Sequence, residues 1–225
     1  MKILFIGEGR HDIGDPNPNT DQPRPAQGTI PTLCRKICSL ISSESVALAW
    51  KEIRRFNPFA QKRGYRAKVA AAALLAVKKF ACAGTTVVAD RDGEVSRESA
   101  LQDGVSNAQQ LFPRFPIVWG LAVESVEAWT LGVPSHIAEE LGIDLQTVHE
   151  QYPRGVSVES LSERSGKEEY HPKRLLQRIT QLKSEIDSTA FRQAIAERTD
   201  VKALEKACPQ GFAPFAAQVR AVFGE

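Results

Sequence analysis

The sequence predicts an α/β fold in which a mainly parallel sheet is flanked by helices and is followed by a helical C-terminal region. Three observations support this. Short apolar or β-branched runs alternate with helical patterns from Lys2 to Val133, which is typical of parallel sheets. Two of these runs end directly in acidic residues. From Ser135 onward the pattern is helical and contains no convincing strand.

The first predicted strand is the apolar run from Lys2 to Ile6, which ends in Gly7-Glu8-Gly9. A continuous apolar run suits a strand that is buried on both faces. Residues 10–28 are rich in Asp, Asn, Pro and Gly, and so we expect a long loop there. A helix is predicted to begin near Thr29, with Pro31 in its first turn, and to run to about Ser42.

The alternation continues through the next segments. Val46 to Arg54 predicts a second strand, and a basic loop is expected to follow it. Ala67 to Ala83 is rich in Ala and Leu and predicts a helix. Thr85 to Ala89 is β-branched and predicts a third strand. A helix that Ser96 caps and that ends at Leu111, and a fourth strand from Pro116 to Val123, complete the predicted sheet.

The C-terminal region is predicted to contain a flexible loop from Arg154 to His171 and four helices. Asp200 is a good N-cap for one of them. The predicted helices are Pro172 to Glu185, Thr189 to Arg198, Val201 to Cys208 and Phe212 to Phe223.

Composition narrows the class of protein. The chain has 225 residues, of which 42% are hydrophobic and 25% charged, so disorder of the whole chain is not expected. A net charge of +2 neither requires nor excludes nucleic acid. No apolar run approaches the roughly 20 residues of a membrane helix. The four cysteines include no Cys-x-x-Cys pair, and we expect reduced, buried thiols in a cytoplasmic protein.

Acidic side chains follow two of the predicted strands. Glu8 follows the first strand, and Asp90 and Asp92 follow the third. Ligands of open α/β sheets collect at the carboxyl ends of strands, and so neighbouring strands would bring these three carboxylates into one crevice. Mg²⁺ or Mn²⁺ would remove their mutual repulsion. We therefore predict all three as catalytic metal ligands, with Glu8 alternatively serving as a base.

Five further residues are candidates for the same site. Glu94 and Glu124 are predicted to supplement the metal ligands, and Asp12 is a further candidate. His11 is either a general base, a phosphate contact or a solvated loop residue. Glu127 follows Glu124 on the same helix face, so that one of them reaches the crevice. The alternative for the acidic residues is that they only cap helices or form turns.

The pairing of Glu8-Gly9 with Asp90-Arg91-Asp92 resembles the Toprim family. The resemblance implies a compact flavodoxin-like sheet, Mg²⁺ binding, and strand breakage or joining, as in topoisomerases, primases and overcoming-lysogenization-type nucleases. It also implies a metal-binding core over residues 1–133 and a helical extension, residues 134–225, packed on that core. The chain departs from the family by a longer stretch between the first two strands and by Arg10, His11 and Asp12 in the first turn.

Three other segments resemble an uncharacterised Toprim-like family whose members accompany an ATPase in anti-phage loci. They are Glu124 to Trp129, Pro172 to Leu176 and Ala207 to Phe215. This likeness implies an ATPase partner and a role in antiviral defence. Trp129 itself is better explained by core packing than by stacking on a base.

A strongly basic stretch lies between Lys51 and Lys79. It contains nine Lys or Arg residues and one acidic residue, Glu52. A basic strip beside a metal site is what binding of a phosphate backbone requires. The alternatives are a solvated helix face or a surface that docks an acidic protein. The predicted nucleic-acid contacts are Arg54, Arg55, Lys62, Arg63, Arg66 and Lys68.

The predicted function is a Mg²⁺-dependent nuclease that hydrolyses DNA or RNA as the effector of an ATPase-linked defence system. An alternative is a non-catalytic binding or sensor subunit of an ATPase complex. A third hypothesis is a phosphatase of the haloacid dehalogenase type, but that family places Asp-x-Asp after its first strand. Association between copies of the chain is left open.

Overall fold

A computed structural model describes residues 1–17, 22–56, 64–161, 170–185 and 187–224. The strands of this part form one sheet in the order β2-β3-β1-β4-β5. β1 pairs in parallel with β3 and β4, β4 pairs in parallel with β5, and β2 is antiparallel to β3. The prediction of a mainly parallel sheet flanked by helices is confirmed. The strands are β1 (Ile3–Gly7), β2 (Arg24–Pro25), β3 (Val46–Ala49), β4 (Gly84–Asp90) and β5 (Ile117–Ala122).

Helices surround this sheet and make up the C-terminal region. A 3-10 helix spans Val158–Ser160. The α-helices of the described residues are α1 (Arg10–Ile13), α2 (Thr29–Ile37), α3 (Ile53–Phe56), α4 (Tyr65–Lys78), α5 (Ser96–Leu111), α6 (Glu127–Leu131), α7 (Pro134–Leu141), α8 (Leu145–His149), α9 (Pro172–Gln181), α10 (Thr189–Arg198), α11 (Val201–Ala207) and α12 (Phe212–Phe223).

The order of the parallel strands determines where a ligand site can form. The chain begins at β1, adds β3 on one side, and then adds β4 and β5 on the other. In doubly wound sheets, a crevice opens at the carboxyl ends of the two strands between which the order reverses. Those strands are β1 and β4, which pair through Ile6 and Val87. Glu8 and Asp90 therefore end adjacent strands at this crevice.

The core lies on both faces of the sheet. Ile3 and Phe5 of β1 belong to one buried cluster, with α2 and α12, whereas Leu4 and Ile6 belong to a second cluster, with α4 and α5. Successive side chains of a strand point to opposite faces. Because both faces are covered, every residue of β1 and β4 is buried, and this explains the continuous apolar runs in the sequence.

The C-terminal helices pack closely on the sheet. Phe215 of α12 stacks on Trp129, with ring centroids 5.3 Å apart, and Trp129 is 1% exposed. A Cβ atom at Gly120 of β5 would lie 2.7 Å from the Phe215 ring. A larger residue at this position would therefore push α12 away from the sheet. The expectation that Trp129 packs in the core is confirmed.

Two elements near β3 differ from the sequence prediction. The strand expected to reach Arg54 ends at Ala49, because the Glu52 carboxylate turns back and accepts the Ala49 N–H at 2.7 Å. Residues Ile53–Phe56 then form α3. Within the expected loop of residues 10–28 lie α1 and β2, while residues 18–21 are outside the described part. Arg24 of β2 forms an ion pair with Glu52, which joins the two misassigned segments.

Helix ends were predicted less accurately than helix positions. The helix beginning at Thr29 ends at Ile37, five residues before Ser42. Ser96 is the first residue of α5 and donates to the Glu94 carboxylate, so its prediction as N-cap is wrong. Asp200 is confirmed as an N-cap and accepts the N–H groups of Lys202 and Ala203.

All four cysteines are buried and unpaired by disulfides, as expected from the sequence. Among the helices of the described residues, we find none with both the length and the apolar character needed to cross a bilayer. Of the loop predicted from Arg154 to His171, residues 162–169 lie outside the described part.

Candidate functional site

A cleft opens at the carboxyl ends of β1 and β4. It brings together the predicted ligands Glu8 and Asp90 and the additional candidates His11, Asp12 and Glu127. Asp92, Glu94 and Glu124 are not among the residues that line it. The lining residues are Glu8, Gly9, Arg10, His11, Asp12, Asp90, Glu127 and Lys173.

The turn after β1 is held by Asp12. One oxygen of its carboxylate accepts the backbone N–H groups of Glu8 and Gly9, both at 3.1 Å. This bond fixes the start of α1 and leaves the Glu8 side chain exposed at the mouth of the cleft. The Tyr65 hydroxyl, at the start of α4, donates to Glu8 Oε1 at 3.1 Å. Tyr65 therefore orients the carboxylate of Glu8.

Asp90 is the last residue of β4 and is 2% exposed. Its Oδ1 accepts the backbone N–H of Val126 at 3.0 Å, and its Oδ2 accepts from Lys173 Nζ at 2.8 Å. Lys173 belongs to the first turn of α9 and also lies 3.8 Å from Asp92 Oδ1. Each oxygen of Asp90 thus accepts a hydrogen bond, one from the backbone and one from the ammonium group of Lys173.

Glu127 is the first residue of α6 and contacts a buried arginine. Arg192 Nη1 lies 2.7 Å from Glu127 Oε1, and Arg192 Nε donates to Asp187 at 2.7 Å. Burial opposes ionisation of Glu127, but the Arg192 guanidinium outweighs it and lowers the pKa of Glu127. Glu127 is therefore a permanent negative charge in the wall of the cleft.

Two other carboxyl groups in the cleft, those of Asp12 and Asp90, have raised pKa values. Burial, followed by the charge of Glu127, raises the pKa of Asp12 to about 7. Burial, followed by the charges of Asp12 and Glu127, raises the pKa of Asp90 well above its usual range, despite the contact with Lys173. We refer to Glu8, Asp12, Asp90 and Glu127 as the cleft carboxylates. Of these, Asp90 contacts Lys173 and Glu127 contacts Arg192.

The other predicted ligands lie in the loops after β4 and β5 and have arginine partners. Arg97 contacts Asp92 at 2.7 Å and Glu94 at 3.0 Å. Arg91 contacts Glu124 at 2.8 Å. We refer to Asp92, Glu94 and Glu124 as the outer carboxylates. Of the two alternatives left open by the sequence, Glu127 reaches the cleft, whereas Glu124 is held by Arg91.

The two loops that carry the outer carboxylates contain strained backbone. Asp92 has φ of 43° and Glu124 has φ of 60°, both in the left-handed region. This region is uncommon for residues other than glycine. The Asp92 N–H donates to the Glu124 carbonyl at 3.0 Å, which ties the strained positions together. Such strain is concentrated at functional sites in proteins.

The cleft carboxylates fit a divalent cation in chemical type. Among the described residues, no group of three or more His, Cys, Asp or Glu side chains is arranged to hold one ion. The cleft nevertheless offers the hard oxygen donors that Mg²⁺ and Mn²⁺ select. Burial and neighbouring carboxylates raise the pKa values of Asp12 and Asp90, and a cation bound there would oppose this effect. Glu8 and Asp90 would hold the ion once Lys173 leaves Asp90.

Basic residues occupy the same edge of the sheet. Arg54 and Arg55 are exposed in α3, which follows the carboxyl end of β3, and Arg66 is exposed beside Tyr65 in α4. Lys68 Nζ lies 5.7 Å from the centre of the Tyr65 ring. Of the other predicted contacts, Lys62 and Arg63 lie outside the described residues.

The sequence did not identify Lys173, Arg192 or Tyr65 as site residues. A lysine in the first turn of a helix opposes the helix dipole, and Lys173 directly follows the helix-starting Pro172. That unfavourable placement is a signal in the sequence that indicates a nearby carboxylate. Arg192 carries no comparable signal, because nothing in its helical pattern predicts burial.

Comparisons of the chain with protein-family models, with curated proteins and with solved structures found no match. The function is therefore inferred from the residues of the cleft and from the motifs that they form.

Proposed function

We propose that this chain is a Mg²⁺- or Mn²⁺-dependent nuclease that hydrolyses phosphodiester bonds of DNA or RNA. The observation that supports it most is the cleft between β1 and β4, which is lined by Glu8 and Asp90 together with the buried carboxylates Asp12 and Glu127. The motif resemblance to the Toprim family points to the same chemistry. It also favours an ATPase partner and a role in anti-phage defence, which we include in the proposal.

The residues of the cleft have distinct roles in the proposed reaction. A bound divalent cation supplies a polarised phosphate and a water of lowered pKa. Glu8 and Asp90 hold that cation, and Tyr65 keeps the Glu8 carboxylate in place. Asp12 fixes the turn that presents Glu8. Glu127 adds negative charge but stays paired with Arg192.

The outer carboxylates contribute unequally to this proposal. Asp92 shares Lys173 with Asp90, which keeps Asp92 as a candidate ligand. Glu94 shares Arg97 with Asp92, and Glu124 is paired with Arg91. We therefore assign the catalytic metal to Glu8 and Asp90, and Asp92 would be a third donor after release from Arg97, which contacts it at 2.7 Å.

A polymeric substrate is favoured over a small phosphate ester. Arg54, Arg55 and Arg66 are exposed on the sheet edge that contains the cleft. Exposed cations along one edge contact successive phosphates of a backbone and contribute affinity without reading sequence.

The test is a cleavage assay with single- and double-stranded DNA and RNA in Mg²⁺, Mn²⁺ or EDTA. We expect Glu8→Gln and Asp90→Asn each to reduce metal-dependent cleavage by more than about 100-fold, since even the outer partners of metal ligands are worth roughly 10- to 100-fold. Asp103→Asn is the matched control, because Asp103 is exposed on α5 and outside the cleft.

Circular dichroism of each variant checks that the fold is retained. Undiminished cleavage by both cleft variants would exclude this assignment of the metal ligands.

A second candidate function is a non-catalytic subunit of an ATPase complex. It is favoured by the absence, among the residues described, of three donors arranged around one point. Calorimetric titration with Mn²⁺ separates the two functions. Failure to bind Mn²⁺ together with stable co-purification of an ATPase would support the non-catalytic subunit.

A further inference from the structure

Lys173 occupies the place that a metal ion on Asp90 would need. Its Nζ lies 2.8 Å from Asp90 Oδ2 and 3.8 Å from Asp92 Oδ1, so one ammonium links both acids of the Asp-Arg-Asp segment. The other Asp90 oxygen accepts the Val126 N–H at 3.0 Å, and the carboxyl group is buried. A divalent cation that approaches Asp90 Oδ2 therefore meets the ammonium group of Lys173, and the two positive charges repel each other.

The surroundings of Lys173 allow that departure. Its side chain is 47% exposed, and lysine carries its charge on a long flexible stem. The backbone beneath it is fixed, because Leu175, Leu176 and Ile179 of α9 are fully buried. The first turn of a helix also disfavours a positive charge. The ammonium can thus move into solvent while α9 stays in place.

Arg192, which contacts the cleft residue Glu127, differs from Lys173 in its burial. Its side chain is 4% exposed and contacts both Glu127 and Asp187. Removing that guanidinium would leave two buried or half-buried carboxylates without a partner, which is strongly unfavourable. Lys173 and Arg192 both contact cleft carboxylates, but of this described pair it is Lys173 that has the exposure needed to move into solvent.

We propose that Lys173 is an internal counter-ion that competes with the divalent cation for Asp90 and is exchanged for it when the metal binds. This inference rests on the proposed metal-dependent function. In the absence of metal, Lys173 keeps Asp90 compensated. In its presence, the displaced ammonium points to solvent, and the affinity of the site for metal is set partly by the strength of the Lys173–Asp90 contact.

The experiment is calorimetric titration of Mn²⁺ into the full-length wild-type chain, Lys173→Met and Lys183→Met, each at low and at about 500 mM salt. Lys183 is exposed just beyond α9, and so its variant controls for the loss of one positive charge. We expect Lys173→Met to bind Mn²⁺ at least about tenfold more tightly, and Lys183→Met to match the wild type. Because 500 mM salt screens charges beyond a few Å, the gain should persist there only if Lys173 competes by direct contact.

Lys173→Gln supplies a second measurement should Lys173→Met be poorly folded, since its neutral amide still donates to Asp90. Equal or weaker Mn²⁺ affinity in the Lys173 variants, or a gain that vanishes at high salt, overturns the exchange and leaves the nuclease proposal standing. Absence of Mn²⁺ binding in every protein, the wild type included, overturns both.

Discussion

The cleft carboxylates and the outer carboxylates lie a few residues apart in sequence but differ in how their charges are balanced. The side chains of Asp92 and Glu94 are 41% and 58% exposed, and both contact Arg97. Glu124 forms an ion pair with Arg91. In the cleft, Asp12 and Asp90 are buried, and their pKa values are raised by burial and by neighbouring carboxylates. The outer carboxylates are paired with arginines at the surface of two loops, whereas the cleft groups several carboxylates, two of them with raised pKa values, where a cation could bind.

The two acidic residues of the Asp90-Arg91-Asp92 segment also differ in their surroundings. Asp90 and Asp92 are two residues apart, yet Asp90 faces the cleft and Asp92 faces Arg97. The left-handed backbone at Asp92 turns the chain away from the line of β4. An Asp-x-Asp segment therefore does not by itself define a pair of equivalent ligands.

The largest effect is expected on the free energy of unfolding, when Arg192 is removed from Glu127 of the cleft or Arg97 is removed from the outer carboxylates. Arg192→Met leaves the buried Glu127 without a partner and should lower the free energy of unfolding by about 3–5 kcal/mol. Arg97→Met affects exposed carboxylates and should cost about 1 kcal/mol. Urea denaturation of both variants in EDTA measures the two values. Equal losses would mean that the two groups are not electrostatically distinct.

A smaller effect is expected from the pH dependence of stability. Because the pKa of Asp12 is about 7 in the folded protein and 3.8 ordinarily, its protonated form contributes stability that is complete below pH 4 and is lost as the pH rises through 7. A shift of roughly three units corresponds to as much as about 4 kcal/mol. Asp12→Asn should remove this decline, while its amide oxygen still accepts the N–H groups of the turn.

The outer carboxylates predict the opposite sign. The pKa of Glu94 is lowered by the hydrogen bond from Arg97, so its stabilising contribution is present above its ordinary pKa and is lost on acidification. Denaturation of wild type, Asp12→Asn and Glu94→Gln from pH 4 to 8 in EDTA compares the two groups. If Asp12→Asn and the wild type show parallel curves, the pKa of Asp12 is not raised in the folded protein.

The smallest effect concerns the basic edge beside the cleft. Arg66→Gln and Arg54→Gln should each weaken binding to duplex DNA modestly and reduce the salt slope by about 0.9 for each phosphate that the arginine neutralises. Lys202→Gln, on α11 and exposed, is the control. Fluorescence anisotropy in the Asp90→Asn background avoids cleavage. An unchanged salt slope in both arginine variants would favour the solvated face or a protein partner.

The sheet was predictable because strands buried on both faces leave an apolar run, as in β1, or a β-branched run, as in β4. The elements β2 and α3 were not predictable from local sequence, because they depend on the ion pair between Arg24 and Glu52, which lie far apart in the chain. Two residues of β2 are too few to show any periodicity. The end of β3 at Ala49 is likewise determined by a side chain, Glu52, rather than by the propensity of Val46 to Arg54.

The cleft was predictable only in part. The strand order alone brings Glu8 and Asp90 together. Their positions directly after predicted strands indicate this proximity in the sequence. The pairing of the outer carboxylates depends on two left-handed residues, which no pattern indicates. Lys173 lies 83 residues beyond Asp90, and Arg192 lies 65 beyond Glu127. The partners in such distant contacts cannot be identified from local sequence, although the first-turn position of Lys173 indicates that a carboxylate lies nearby.

The late position of Lys173 and Arg192 in the chain has a consequence for biosynthesis. The ribosome synthesises the strands before α9 and α10, and domains fold as they emerge from the ribosome. Until those helices leave the exit tunnel, Asp90 and Glu127 have neither of the cations that they contact in the finished molecule. Nascent chains should therefore complete this end of the sheet only after residue 192 has left the exit tunnel, unless free Mg²⁺ neutralises Asp90 and Glu127 before then.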